Sequence, residues 1–147
     1  MKKIIIALMM VLTLSTLTAF AGDENVSEKV LTAFKQDFNT ATDVQWTAGE
    51  DFCQVAFTYY NKHVFAFYST AGELYGTARY ISSLDLPLHL LISLKKEYTR
   101  YWISDLFEVA KDDSTSYYIT LEDADNIIVL KASAGNGWVN WKKTKKS

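Results

Sequence analysis

The sequence predicts an α+β fold: a tandem repeat of one helix followed by an antiparallel sheet of about four strands. Two segments carry apolar residues at helical spacing, and each is followed by short aromatic and β-branched segments separated by turn residues. The two halves also share weak similarities, such as 69–72 with 132–135. We therefore expect one domain over 22–147 with a shared core, made of repeats at about 22–82 and 83–147.

The first residues predict an export signal. A basic start at Met1–Lys3 precedes an apolar run from Ile4 to Leu17, and small residues follow at Ala19 and Ala21. This three-part layout is typical of a secretory signal peptide over residues 1–21. The alternative is a transmembrane anchor, but the apolar run is shorter than the ~20 residues a membrane span needs. We expect a periplasmic or secreted protein with no stable membrane insertion after cleavage.

Charge and cysteine content exclude some classes of function. The formal net charge of −2 becomes about −4 once Lys2 and Lys3 leave with the signal peptide. A mildly acidic chain is a poor match for nucleic acid, which is bound by clustered cations. Cys53 is the only cysteine, so no intramolecular disulfide can form and stability must come from the core.

Each repeat is predicted to begin with a helix. In the first, Asn25 is the expected N-cap and Asn39 the expected end, and the apolar positions are Val26, Val30, Ala33, Phe34 and Phe38. In the second, Asp85 or Ser83 can cap a helix that has Pro87 in its first turn and runs to about Tyr101. This leucine-rich segment is apolar over much of its girth, so we expect it to be the more buried helix.

The strands are predicted from alternation and turn residues. They fall at 43–47, 52–60, 64–69 and 74–81 in the first repeat, and at 105–110, 117–121, 127–132 and 138–142 in the second. A two-residue loop at Asn61-Lys62 would place one apolar set on a core face: Cys53, Val55, Phe57, Tyr59, Val64, Ala66 and Tyr68.

The opposite face supplies the candidate binding residues. It carries Tyr60, Phe65 and Phe67 in the first repeat. If Ala124-Asp125 is a two-residue loop, the comparable face of the second repeat carries Tyr118, Ile127 and Val129. Large apolar groups on an open sheet face indicate a partner. The alternative is structural, with these surfaces packed on each other or on a helix.

No stretch of the sequence predicts a reaction centre, a metal site or a cofactor site. Cys53 and His63 fall at opposite ends and on opposite faces of their hairpin, so they cannot act as nucleophile and base. Two histidines, His63 and His89, are too few for a typical zinc site. The acidic segment 122–126 lacks the glycine and the closing glutamate of a calcium loop, and a charged turn explains it. Nucleophile-elbow and phosphate-loop motifs are absent from the sequence.

Several short motifs, in this order, carry a resemblance to a known family. They are the exported N-terminus, the helix ending in Phe34 to Phe38, A-x-x-V-x-W at 41–46, Val55-Ala56-Phe57, Ala66-Phe67-Tyr68 before Gly72, Leu86-Pro87 and the 117–121 strand. The chain resembles the PepSY-like group of exported bacterial proteins, which is similar in fold to β-lactamase inhibitor protein. The resemblance implies a periplasmic tandem helix-plus-sheet fold with no established enzymatic activity. Its motif positions, including Trp46 and Pro87, are structural, so no site residue is carried over.

These observations predict an exported, non-enzymatic binding module that uses a sheet face. Its expected partner is a periplasmic protein or peptide, which the module would inhibit or escort. The alternative is a periplasmic sensor that binds a small apolar ligand between the two repeats. Such a pocket would be lined by Trp46, Tyr80 or Trp138.

Overall fold

A computed structural model describes residues 25–147 of the chain, so the predicted signal peptide lies outside the described residues. The elements in chain order are α1 (Glu28–Asp37), β1 (Thr42–Ala48), β2 (Phe52–Tyr59), β3 (Lys62–Ser69), β4 (Leu74–Tyr80), α2 (Leu88–Glu97), β5 (Trp102–Lys111), β6 (Ser114–Glu122), β7 (Asn126–Ser133) and β8 (Val139–Lys145). A 3-10 turn at Ser83–Asp85 precedes α2. Over 25–147, neither helix has the length and apolarity that a membrane crossing requires.

The eight strands form one antiparallel sheet in the order β1-β2-β3-β4-β5-β6-β7-β8. The predicted tandem repeat, in which each helix has its own sheet of about four strands, is therefore wrong. The described chain is mostly β, with two α-helices, and the α+β label is only loosely compatible with it. The sheet is continuous because β4 pairs with β5, from Thr77 opposite Ala110 to Tyr80 opposite Phe107. Patterning within single strands does not reveal which strands pair across a helical connection.

The described chain divides into two compact units, 25–76 and Thr77–Ser147, called here the first and second units. In the first unit, α1 packs on the face that the sequence predicted as the core. Phe34 of α1 lies 5.2 Å from the Trp46 ring and 5.0 Å from the Phe57 ring, measured between centroids. The buried cluster is Val26, Val30, Phe34, Trp46, Cys53, Val55, Phe57, Ala66 and Tyr68. Edge-to-face aromatic contacts of this kind add to the stabilisation from burial.

The β2–β3 hairpin turns at Tyr60-Asn61, not at the predicted Asn61-Lys62. Tyr59 pairs with Lys62, and the two turn residues have φ values of 48° and 61°. Positive φ at both positions gives the turn a twist that matches that of the strands. The predicted pairing is therefore off by two residues. Because side chains alternate with a period of two, the face assignment is unchanged.

Gly72 brings the β3–β4 turn against α1. It has a φ of 89°, and a Cβ built on it would lie 2.9 Å from the carbonyl oxygen of Lys29. The hydroxyl of Ser27 donates to the carbonyl of Thr70 at 3.1 Å, which fixes the same turn to the start of the helix. Ser27, rather than the predicted Asn25, is also the N-cap of α1.

In the second unit, α2 packs through Leu90 and Leu94 on one face of β5–β7. The indole N–H of Trp138 donates to the carbonyl of Leu90 at 3.1 Å. Leu88 is 70% exposed and Ile92 44%. The expectation that α2 is the more buried helix is therefore wrong: each helix buries two residues, and Leu88 and Ile92 of α2 face solvent.

The start of α2 also differs from the prediction. Pro87 is the N-cap and makes no side-chain cap bond. Asp85 instead completes a capping box with Ser82 around the 3-10 turn, where its carboxylate accepts the Ser82 backbone N–H at 2.9 Å. Asp85, which the sequence indicated as a possible cap of α2, thus takes part in capping the 3-10 turn before that helix.

Candidate functional site

A row of aromatic residues crosses the second unit on the sheet face away from α2. Cross-strand pairing places Tyr80 opposite Phe107, Phe107 opposite Tyr118, and Tyr118 opposite Lys131. The Tyr80 and Phe107 rings lie 4.0 Å apart, and the Trp141 ring meets Tyr118 edge-on at 6.2 Å. We call these five residues the aromatic row. The row continues across strands because directly opposed residues share a face.

The aromatic row combines buried side chains with accessible ones. Phe107 and Tyr118 are only 1% and 8% exposed, whereas Tyr80 is 49% exposed. Lys131 is half-buried, and its ammonium nitrogen lies 5.4 Å from the Tyr118 ring centroid and 5.2 Å from that of Trp141. Cation–π contacts hold a lysine flat against such rings. The result is an apolar surface with one positive charge fixed on it.

The predicted site residues of the second unit lie together. Ala124-Asp125 is the loop between β6 and β7, as required for the predicted face assignment. Ile127 and Val129 consequently share the face of Tyr118. Val129 is buried and Ile127 half-buried, so only part of this group is accessible.

The predicted site residues of the first unit are divided. Phe65 and Phe67 lie together on the face away from α1, opposite Ala56 and Gln54, but they are only 7% and 4% exposed. Tyr60 is not on that strand face. It belongs to the hairpin turn, where it is 76% exposed.

Four members of the aromatic row are not among the residues that the sequence predicted for partner binding: Tyr80, Phe107, Lys131 and Trp141. Their alternation in single strands was visible, but their alignment depends on the pairing of β4 with β5. Of the residues proposed for a ligand pocket, Trp46 belongs to the core of the first unit, and Trp138 donates a hydrogen bond to the Leu90 carbonyl of α2. Tyr80 lies instead in the aromatic row.

Carboxylates adjoin the aromatic row. Burial, and secondarily the charge of Glu122, raises the pKa of Asp105, and the charge of Asp105 contributes, after burial, to a raised pKa of Tyr80. The ammonium of Lys146 lies 2.8 Å from the Glu122 carboxylate. Hydrogen bonds from Lys146 and then Ser104 hold the pKa of Glu122 below its usual value. The face thus presents charges of both signs around an aromatic centre.

The residues considered for catalysis are held apart. Cys53 is buried and pairs with Tyr68, whereas His63 pairs with Thr58 on the other face. Burial raises the pKa of the Cys53 thiol, which disfavours the nucleophilic thiolate.

The acidic turn at 122–126 has a structural role. The Asp123 carboxylate accepts the backbone N–H groups of Asp125 and Asn126 at 2.9 and 2.7 Å. Three or more metal-ligating acidic, histidine or cysteine side chains do not cluster anywhere in 25–147.

Comparisons with known proteins show similarity of fold. No protein-family profile and no curated protein matches the chain. A BLIP-like protein from Bacteroides fragilis is 17% identical, with a TM-score of 0.71 over 90% of this chain and 92% of that one. A DUF2874 family protein from Bacteroides ovatus is 14% identical, with a TM-score of 0.69 over 80% of this chain and 86% of that one.

A third similar structure, from Bacteroides eggerthii, is described as a candidate periplasmic protein. It is 10% identical, with a TM-score of 0.72 over 82% of this chain and 88% of that one. None of the three descriptions names an enzymatic activity. The similarity to β-lactamase inhibitor protein is thus supported as a likeness of fold, and membership of the PepSY-like group is not confirmed. The chain has a BLIP-like fold.

Proposed function

We propose that this chain is an exported, non-enzymatic module that binds a protein or peptide on a sheet face, as an inhibitor or escort of that partner. The observation that carries the proposal is the aromatic row of the second unit. Accessible aromatic side chains beside an ordered cation, supported from below by buried rings, resemble the composition of binding hot spots. The proposed binding residues of the first unit are Tyr60, Phe65 and Phe67, and in the second unit Ile127 and Val129 accompany the row.

The accessible members of the row, the exposed Tyr80 and the half-buried Trp141, would make the first contacts. Tyr80 and Trp141 present large rings with few rotatable bonds, so a partner can bury them at a small cost in conformational entropy. Lys131 is already ordered by two rings and would pair with an acidic group of the partner. A partner with apolar side chains beside a carboxylate fits this surface.

Export rests on the predicted signal peptide and on the likeness to a candidate periplasmic protein. A binding role without catalysis fits a buried thiol and acidic residues engaged in a turn. The BLIP-like fold is compatible with this role, but a fold supports many functions, so the site has to be tested directly.

The test is affinity measured with one defined partner. The chain, purified from the periplasm after export, captures proteins from a periplasmic extract, and mass spectrometry identifies the major species. The dissociation constant of the purified partner is then measured for wild type and for Tyr80→Ala and Trp141→Ala. Loss of a hot-spot aromatic costs about 2 kcal/mol, so we expect binding to weaken roughly thirtyfold.

Leu88→Ala is the matched control, because Leu88 is an even more exposed apolar residue on the helix side. It should change affinity less than twofold. Equal affinities for the wild type and both row variants would refute the proposal. Phe65 and Phe67 are poorer probes, because truncating a buried Phe costs about 3–5 kcal/mol of stability by itself.

A further inference from the structure

A groove in the second unit lies on the helix side of the sheet, away from the aromatic row. It lies between the end of α2 and the start of β5 and has a volume of ≈ 320 Å³. The side chains that shape it include Leu91, Leu94, Lys95, Tyr98, Tyr101 and Ile103. This volume falls at the lower end of the roughly 300–1,000 Å³ typical of small-molecule sites.

The floor and walls of the groove are apolar and fixed. Leu94 and Leu121, which are buried, belong to the core of the second unit. The backbone of Tyr101 is held by its N–H, which donates to the carbonyl of Tyr98 at 3.1 Å. Ile103, which also lines the groove, is 43% exposed. A ligand with an aliphatic body would bury this surface.

The rim of the groove is cationic. Lys95 lines it and is exposed, and the Arg100 guanidinium lies 5.6 Å from the Tyr101 ring centroid. Acidic groups also lie nearby: Glu97 accepts the hydroxyl of Ser93 at 3.0 Å, and the Asp123 carboxylate accepts the backbone N–H groups of Asp125 and Asn126 at 2.9 and 2.7 Å. Both carboxylates keep their negative charge, so Lys95 and Arg100 have to supply the attraction for an anion.

The first unit has a groove of the same volume, ≈ 320 Å³, at the end of α1. Lys35 lines this groove as Lys95 lines the second one. Five residues after each lysine, the first unit has Thr40 where the second unit has Arg100. Phe38 likewise stands where the second groove has Tyr98. The second groove therefore carries more positive charge, and the first serves as an internal control.

We propose that the groove of the second unit binds a small amphipathic anion, with a short aliphatic chain over Leu94 and Leu121 and a carboxylate between Lys95 and Arg100. Apolar lining with a few polar groups that fix orientation is the usual design of such sites. This site is separate from the proposed partner face and does not depend on it.

The probe is decanoate, added below its micelle concentration to the ¹⁵N-labelled protein purified after export, with amide chemical shifts as the readout. We expect saturable shifts centred on residues 91–103 and on Leu121. An exposed ion pair contributes up to about 1 kcal/mol, so Lys95→Gln should weaken binding about fivefold. Ile103→Asp adds a like charge and removes an apolar contact, and should weaken binding more than tenfold.

Lys35→Gln is the matched control and should leave the dissociation constant within twofold of wild type. Decylamine, which has the same chain and the opposite charge, should bind more weakly than decanoate. The proposal is overturned if decanoate gives no saturable shifts, if the shifts centre on residues 31–46, or if Lys95→Gln binds as wild type does. None of these results depends on a protein partner, so failure here and failure of the proposed partner face are distinguishable.

Discussion

Gly72→Ala tests how the β3–β4 turn is fixed to α1. Gly72 has a φ of 89°, a conformation that costs an L-residue about 1–2 kcal/mol. The new Cβ would also lie 2.9 Å from the Lys29 carbonyl oxygen, a backbone atom within a helix that cannot simply rotate away. Overpacking of this kind costs about 1–3 kcal/mol. The reduced entropy of the unfolded chain offsets part of this, by about 0.4–1 kcal/mol.

The expected net loss is roughly 2–3 kcal/mol in the free energy of unfolding. Urea denaturation of the exported protein measures this free energy, and we expect the m-value, which is the slope of the unfolding free energy against urea concentration, to stay unchanged. Gly135→Ala is the matched control, since Gly135 follows a similar Ala-Ser-Ala sequence in the β7–β8 turn.

No atom lies within 4 Å of a Cβ built on Gly135, and its φ is outside the left-handed region. The control should therefore be neutral or slightly stabilising. The reasoning fails if the free energy of unfolding of Gly72→Ala lies within about 0.5 kcal/mol of the wild-type value, which is the range of ordinary surface substitutions. It also fails if Gly72→Ala and Gly135→Ala lose the same amount of stability.

The remaining predictions concern the buried residues Tyr68 and Cys53 and the half-buried Asp105. Tyr68 is fully buried and donates its hydroxyl to Asp37 at 2.8 Å, so Tyr68→Phe should cost about 1 kcal/mol in urea. Burial first, and then the hydrogen bond to Asp37, raises the pKa of Tyr68 above the ordinary value of 10.0. Above that pH the unfolded chain loses the phenol proton while the folded chain keeps it, so the stability of the wild type should fall as pH rises. Tyr68→Phe, which has no such proton, should show a smaller fall. The raised pKa of Asp105 means that the ionised carboxylate is less stable in the folded chain than in the unfolded one. Asp105→Asn should therefore raise the melting temperature at pH 7, and this gain should vanish below pH 3.8, where the carboxyl is protonated in both states. An unchanged melting temperature at pH 7 would contradict this. Cys53 should react with a thiol reagent only as fast as the protein opens, and rapid reaction of the native protein would show that the thiol is accessible.

Local features of the fold could be predicted from the sequence. All eight strands were located to within a few residues, because alternation and turn residues are local signals. The core face holding Phe57 and Tyr68 was identified even though the hairpin turn was displaced, since a shift of two residues preserves the alternation.

The arrangement of the strands could not be predicted in the same way. Whether β4 pairs with β5 depends on backbone contacts between segments that a helix separates in sequence, and no pattern within either strand specifies it. The predicted separate sheets were wrong for this reason, and the aromatic row was missed with them. Leu88 was likewise assigned to a buried helix because hydrophobicity alone does not say which side of a helix meets the sheet.

The most direct test of the binding role is site-specific photo-crosslinking in the periplasm. A benzoylphenylalanine replaces Tyr80 in one variant and Leu88 in the other, and crosslinked products are identified by mass spectrometry. Leu88 is 70% exposed against 49% for Tyr80, so random collisions would favour the control position. We expect one defined partner crosslinked from position 80 and none from position 88. Products from position 88 alone, or from neither position, would contradict a partner site on the aromatic row.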